Sequence, residues 1–349
     1  MEGQLCFPQL LNTSCTKPAM PQAEDMLVQV VLSLVSVLTT ALNLLVIISI
    51  SHFKQLHSPT NLLLLSLAVS DFLVGLLLMP TEIHSTQSCW FLGDVMCVLY
   101  YITDFVISSS SVGNMVLISI DRYLAVCEPL HYHSRVTLGR TVMCICLCWL
   151  CSFLYNTTFI LNDFFGESKL HKVCRGECVV VLSYITVTVD FVINFSGPIC
   201  VMIVLYMRVF VVAVSQARAM QSHITAATHQ PPRALMVNKS EMKAAKILGV
   251  VVVVFIICLC PYYAPSLSGE DVEESTSSSP FVLWLAYLNS CLNPIIYAMF
   301  YPWFRKSVKL IVTLKMLQPC AALHTSVNNT LSSAKICYGK LQGLHKIRS

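Results

Sequence analysis

Three carboxylic acids stand where such groups are costly. Asp71, Asp104 and Asp190 each fall inside a long apolar stretch of a 349-residue chain. A charge at the centre of a bilayer costs at least ~2.5–3.5 kcal/mol, so each of them needs a partner or a task. No Lys or Arg lies in the outer half of any of these stretches, which makes a structural ion pair a poor account of Asp104. For Asp190 the plainer alternatives are a hydrogen bond to Tyr or Thr, or an aqueous vestibule. Unpaired carboxylates of this kind bind cations. Asp104 precedes Arg122 by 18 residues, about 27 Å of helix and nearly one hydrocarbon thickness. Asp104 therefore opens near one membrane face while Arg122 meets the other. Asp190 precedes Pro198 by eight residues, about 12 Å towards the outer end of its helix.

The elements that must hold these acids are membrane helices. Apolar residues make up 56% of the chain and charged ones only 11%, against roughly 25% charged in soluble domains. An ordinary soluble enzyme, a disordered chain and a collagen-like chain are all excluded. Seven apolar segments stand out, at about 26–51, 60–82, 95–127, 139–161, 181–217, 241–267 and 279–302. A span needs about 20 apolar residues, so seven of them leave little room for a catalytic domain. The fold expected is an all-α seven-transmembrane bundle over 26–302, with residues 1–25 outside, an amphipathic helix at 303–316 and a cytoplasmic tail at 317–349. Basic residues stay cytoplasmic during insertion. Eighteen of the 22 Lys and Arg fall on one side of these spans, and twelve of the 18 acids, Glu82 among them, on the other. The N-terminus is therefore expected outside. The first apolar run is too long for a cleaved signal peptide.

Six of the 17 cysteines (Cys6, Cys15, Cys89, Cys97, Cys174 and Cys178) lie on the outer side and are the disulfide candidates. Fifteen pairings are open to six cysteines. Among the N-glycosylation sequons, Asn12 is plausibly placed outside. Asn156 is doubtful, and Asn194 lies inside a span.

The ordered polar motifs narrow the class. Asp71 closes Leu-Ala-Val-Ser-Asp, Asp121-Arg122-Tyr123 ends span three, and Asn293-Pro294-Ile-Ile-Tyr297 lies in span seven. With Asn43, Trp149, Pro198 and Pro261, this set resembles the rhodopsin-like G-protein-coupled receptors over roughly residues 26–316. The stretch NSCLNPIIYAMFYPWF at 289–304 is similar to the signature of trace amine-associated receptors. Asp104 stands at the spacing at which amine receptors carry their ammonium-binding acid. Most aminergic receptors lack an acid at the place of Asp190. A subset of trace amine-associated receptors, especially in fish, has one and is associated with diamines. Two carboxylates facing one pocket would repel each other when it is empty. A ligand with an ammonium at each end relieves that repulsion twice, whereas a monoamine leaves one acid unpaired.

The resemblance implies further roles. Phe105, Ser108, Tyr262, Tyr263, Trp284 and Tyr287 would line the pocket, where aromatic faces favour ammonium groups. Tyr287 would hydrogen-bond Asp104. Asp71, Ser111, Asn289, Ser290 and Asn293 resemble the family's sodium pocket, oxygen ligands for a hard cation, and no other cofactor is implied. Cys97–Cys178 looks like the family's standard bridge. Cys15–Cys174 is the second expectation, with Cys6 as the substitute for Cys15 and Cys89 left free. Arg122, Asp121 and Glu241 resemble the inactive-state latch, and Tyr206 and Tyr297 the residues that replace it. Phe255 is in its usual place, but Leu259 stands where the family has Trp. Cys320 is placed for palmitoylation.

The function implied is an olfactory-type, plasma-membrane receptor for aliphatic diamines or polyamines. Its partners would be a heterotrimeric G protein of the stimulatory type and membrane lipid, with no nucleic acid. The rival within the class is a monoamine receptor in which Asp190 meets a polar group. A transporter would show an internal repeat and broken helices. A membrane hydrolase would need a nucleophile–base pair or metal ligands. Neither is found.

Overall fold

Ser58 and Pro59 show how the sequence starts a span. The Ser58 hydroxyl accepts the Asn61 N–H at 3.2 Å, and Pro59 occupies the first helical position, where its missing N–H costs nothing. The computed structural model describes residues 5–9, 14–16, 23–165, 176, 178, 184–226, 249–264, 280–300 and 302–313. Within these the helices are α1 Ala23–His52, α2 Pro59–Leu73, α3 Met79–Gln87, α4 Gly93–Cys127, α5 Pro129–Arg135 and α6 Leu138–Phe165. They continue as α7 Tyr184–Asp190, α8 Gly197–Ala226, α9 Gly249–Tyr263, α10 Pro280–Phe300 and α11 Pro302–Val312. Five stretches are long and apolar enough to cross a membrane: Met26–His52, Pro59–Ser85, Gly93–Cys127, Leu138–Asn162 and Ile185–Ser215. The shorter apolar helices Gly249–Tyr263 and Val282–Tyr297 complete the expected set of seven.

Two spans are not plain α-helices. Val74–Leu78 joins α2 to α3, and Phe191–Ser196 joins α7 to α8, each as a widened π turn closed by bonds to the fifth residue back. In span five the Gly197 N–H reaches Val192 O, and a Cβ on Gly197 would stand 2.8 Å from that oxygen. Glycine is what lets the turn widen there. In span two the helix runs past residue 82, so Glu82, expected on the outer face, lies within the span instead.

Burial is the inverse of a soluble protein's. Leu38, Leu150, Met207, Phe210 and Ile257 are exposed on the outside of the bundle, as lipid-facing residues would be, while Asn43, Ser70, Asp71, Asn114 and Asn293 are fully buried inside it. Span three sits centrally, packed on spans two, four and five. Gly113 admits Cys148 of span four against its backbone, and the Trp149 indole N–H donates to Ser66 Oγ at 3.0 Å. In α11, Phe304 and Leu310 are buried against the bundle while Arg305, Lys306 and Lys309 remain exposed, the amphipathic pattern expected.

Gly75 sits in the widened turn of span two, where its carbonyl accepts the Ser36 hydroxyl at 2.8 Å. A Cβ there would fall 2.9 Å from the Thr40 backbone nitrogen, which cannot swing away. Gly75→Val should destabilise the purified protein by about 1–3 kcal/mol through overpacking. Thermal unfolding in detergent, with cell-surface abundance beside it, measures this.

Candidate functional site

Asp104 and Asp190 line one cleft at the end of the bundle nearest the N-terminus. Asp104 is partly buried on span three, and Asp190 is buried at the end of α7, directly before the π turn of span five. Phe105, Ser108, Tyr262, Tyr263 and Tyr287 share the lining, and Phe255 and Leu259 reach it from span six. Phe255 also belongs to the main core, with Ile118, Met115 and Tyr297, so one side chain touches both the cleft and the packing beneath it. Tyr206 packs against the same core.

Each carboxylate is held by neutral donors. The Tyr287 hydroxyl donates to Asp104 Oδ1 at 3.2 Å, and Ser108 lies beside the same group. Asn194 Nδ2 donates to Asp190 Oδ1 at 2.6 Å, and the Tyr263 hydroxyl donates to Oδ2 at 3.1 Å. Among the described residues neither acid meets a Lys or Arg. These bonds orient the oxygens without supplying positive charge. Tyr263 is fixed in turn by stacking on Phe195 at 4.6 Å and by an edge contact with Tyr262 at 4.9 Å. The cleft can therefore take a small cationic molecule with an apolar middle.

Trp284 requires a correction. It does not reach the cleft but packs with Val74, Leu78, Met79 and Ile107, edge-on to Tyr287 at 6.1 Å. Of these two residues, one helical turn apart, Tyr287 points inward and Trp284 braces it. Asn194, Phe195 and Ser109 were missed. The only sequence signal was the placement of Asn194 four residues after Asp190, one turn along the helix. Asn156 is buried on Ser109 Oγ and Ser152 O, so it is no glycan acceptor.

Below the cleft, Asn293 Nδ2 donates to Asp71 Oδ2 at 2.9 Å. Asp71 Oδ1, Asn43 Oδ1, Asn289 Oδ1 and Asn293 Oδ1 are buried without a protein donor, and Ser290 lies beside Asp71. An unpartnered Asp71 Oδ1, with Asn293 bonded to the same carboxylate and Ser290 beside it, fits a sodium ion, which takes hard donors only. Ser111 is turned away from Asp71 in its hydrogen bond, donating to Ser70 Oγ at 2.8 Å.

At the opposite end, Arg122 Nη2 and Nε donate to Asp121 Oδ2 at 2.6 and 3.1 Å, with Thr60 and Tyr132 completing the cluster. Burial, with the Asp121 charge beside it, pushes the Tyr132 phenol up to about 12, so it remains a donor at neutral pH. Glu241, Asn12, Cys174 and Cys320 lie outside the described residues.

The rim is stapled. Cys97 is bonded to Cys178 as expected, and the Tyr101 hydroxyl donates to Cys178 O at 3.3 Å. Cys89, expected free, is bonded to Cys6. The Trp90 N–H donates to Gly176 O at 2.8 Å, which draws the segment after span two onto the second loop. Gly176, at φ +108°, lets Cys6 lie against it, since a Cβ there would stand 2.6 Å from that of Cys6. Cys15 is also disulfide-bonded, and its backbone carbonyl accepts the Cys6 N–H at 2.8 Å.

Comparison with known proteins agrees with this geometry. The family "7 transmembrane receptor (rhodopsin family)" matches residues 42–297. Trace amine-associated receptor 13c of Danio rerio is 37% identical over 326 residues, covering 91% of this chain and 94% of its own. Trace amine-associated receptor 8b of Rattus norvegicus is 38% identical over 325 residues (90% and 94%), and Trace amine-associated receptor 1 of Macaca mulatta 36% over 322 (88% and 94%).

The Cys6–Cys89 bond should appear as a crosslinked peptide in a non-reducing digest. Cys89→Ser should free the Cys6 thiol to alkylation and cost about 2–5 kcal/mol of stability. A digest in which Cys89 is alkylated without reduction would contradict it.

Proposed function

The chain belongs to the trace amine-associated receptors of the rhodopsin family, and from that premise we propose that it responds to aliphatic diamines. It is a multi-pass membrane receptor rather than an enzyme, and its partners are a small-molecule ligand and a heterotrimeric G protein. The ligand proposed is of cadaverine or putrescine type, one ammonium on Asp104 and the other on Asp190. What carries the reading is a single cleft lined by two carboxylates on different spans, with aromatic rings in the same lining and, among the described residues, no protein cation against either. A dication gains attraction at both ends, and its methylenes lie against Phe105, Tyr262 and Tyr263.

Activation follows as a population shift: the ligand binds more tightly to the state in which the two acids approach each other. Phe255 and Leu259 on span six line the floor of the cleft, and Phe255 passes the change to the core around Tyr297. Leucine in place of tryptophan at 259 leaves Phe255 as the large ring in that path. The signal proposed is a cAMP rise through a stimulatory G protein, with the N-terminus outside and an olfactory sensory neuron as the setting. We also assign Asp71, with the Asn289 and Asn293 carboxamide oxygens, to holding sodium, whose charge would offset that of Asp71.

One observation favours a second reading. Both oxygens of Asp190 already accept hydrogen bonds, so Asp190 could order span five against span six while a monoamine binds Asp104 alone. A chain-length series of diamines beside matched monoamines, read by cAMP in transfected cells, separates the two. Cadaverine should exceed pentylamine, and Asp190→Asn should weaken diamine responses about thirtyfold or more, the cost of breaking a buried charge pair. Asp104→Asn should weaken every amine. Equal potency of pentylamine and cadaverine would sink the diamine reading. Sodium, but not a bulky organic cation, should raise the unfolding temperature of the ligand-free receptor, and Asp71→Asn should abolish that increment.

A further inference from the structure

A chain of polar contacts leads away from Asp104 on the side opposite Asp190. The Tyr287 hydroxyl, which donates to Asp104 Oδ1 at 3.2 Å, also lies within reach of the Tyr100 hydroxyl. Tyr100 donates to Glu82 Oε2 at 3.1 Å. Glu82 is partly buried on α3, and its charge acts on Asp104 across the gap between spans two and three. The phenols are held in place by carbon. Tyr100 lies edge-on to Tyr101 at 5.5 Å and tilted on Trp90 at 6.3 Å, and it packs with Tyr287 in the cluster of Val74, Leu78 and Met79.

A phenol has one proton to donate. Tyr287 can give its own to Asp104 or to Tyr100. Tyr100 has already given its proton to a carboxylate, and hydrogen bonds in a chain polarise one another, so its oxygen accepts more strongly. Glu82 thereby competes with Asp104 for the Tyr287 proton, and an Asp104 oxygen that shares it accepts more strongly from a ligand's ammonium. The negative charge of Glu82 acts in the same direction.

We propose that Glu82 is a positioning residue that sets the amine affinity of Asp104 through Tyr100 and Tyr287. Among the described residues that line the cleft are Asp104 and Tyr287 but not Glu82, so its effect is exerted through them. The proposal rests on Asp104 as the ammonium site but not on Asp190. Its effect therefore falls on monoamines and diamines alike, unlike that of Asp190.

The test is a set of dose–response curves for pentylamine and cadaverine on the full-length receptor, with surface abundance measured alongside. Glu82→Gln should raise the half-maximal concentration of both amines by the same factor, about fivefold to tenfold, the lower end of couplings between sites. The maximal response should be kept. Glu82→Asp, which restores the acid, should recover most of the shift. In a Tyr100→Phe background Glu82→Gln should add little, because the relay is already cut. A shift below twofold with normal surface abundance would overturn the proposal, as would full additivity with Tyr100→Phe. Loss of surface receptor in both Glu82 variants would make Glu82 a folding residue and overturn it too. Asp104→Asn, run in parallel, separates the failures. Amine responses indifferent to Asp104 would sink the binding-site reading itself. Responses that need Asp104 but ignore Glu82 would sink only this relay.

Discussion

Negative charge enclosed among helices, with no cation beside it among the described residues, is the condition around which this bundle is organised. Asp104 and Asp190 face the cleft, and Asp71 lies beneath it, each satisfied in geometry by Tyr, Asn or Ser and in charge by none of them. Neutral donors fix where a carboxylate points and stabilise its charged form without cancelling the charge. The result is a cleft lined by two carboxylates, with a third buried acid in the same bundle. Asp121 is the exception: Arg122 lies against it at 2.6 Å, at the end of span three.

Packing converts that arrangement into something that can switch. Span three carries Asp104 near one end and Arg122 at the other, and its sides are occupied by spans two, four and five. A helix so enclosed has little freedom to move alone. Span six links the two levels: its described part touches the cleft through Leu259, Tyr262 and Tyr263 and the core through Phe255. The rim disulfides pin the N-terminal segment and the second loop to the tops of spans two and three.

Much of this was legible in the sequence because membrane helices announce themselves by length and apolarity, and because an acid inside one has few roles open to it. The Cys97–Cys178 bridge and the places of Tyr287 and Tyr263 followed from the family resemblance, and that of Asp104 from the resemblance together with its 18-residue spacing to Arg122. Three things did not. Cys6–Cys89 depends on a backbone bond from Trp90 to Gly176 that brings distant segments together, and no count of cysteines encodes it. Glu82 read as an outer acid because the apolar run ends near it, whereas the helix continues and turns its side chain inward to Tyr100. Trp284 read as a pocket wall because aromatic residues were assigned by type and not by angular position. A difference of three residues decides which ring faces the ligand.

The widened turn at Phe191–Ser196 has a consequence for descent. Each residue advances an α-helix by about 100°, and a π turn holds one residue more than its α counterpart. Deleting a single residue from that stretch would restore regular winding and keep Asp190 on its present face, whereas regular winding with every residue kept would turn Asp190 by about 100° relative to Pro198. Aspartate at that place in an alignment is therefore an incomplete criterion. A relative that keeps the acid and the eight-residue spacing to the proline but lacks the widened turn would present it to a different neighbour.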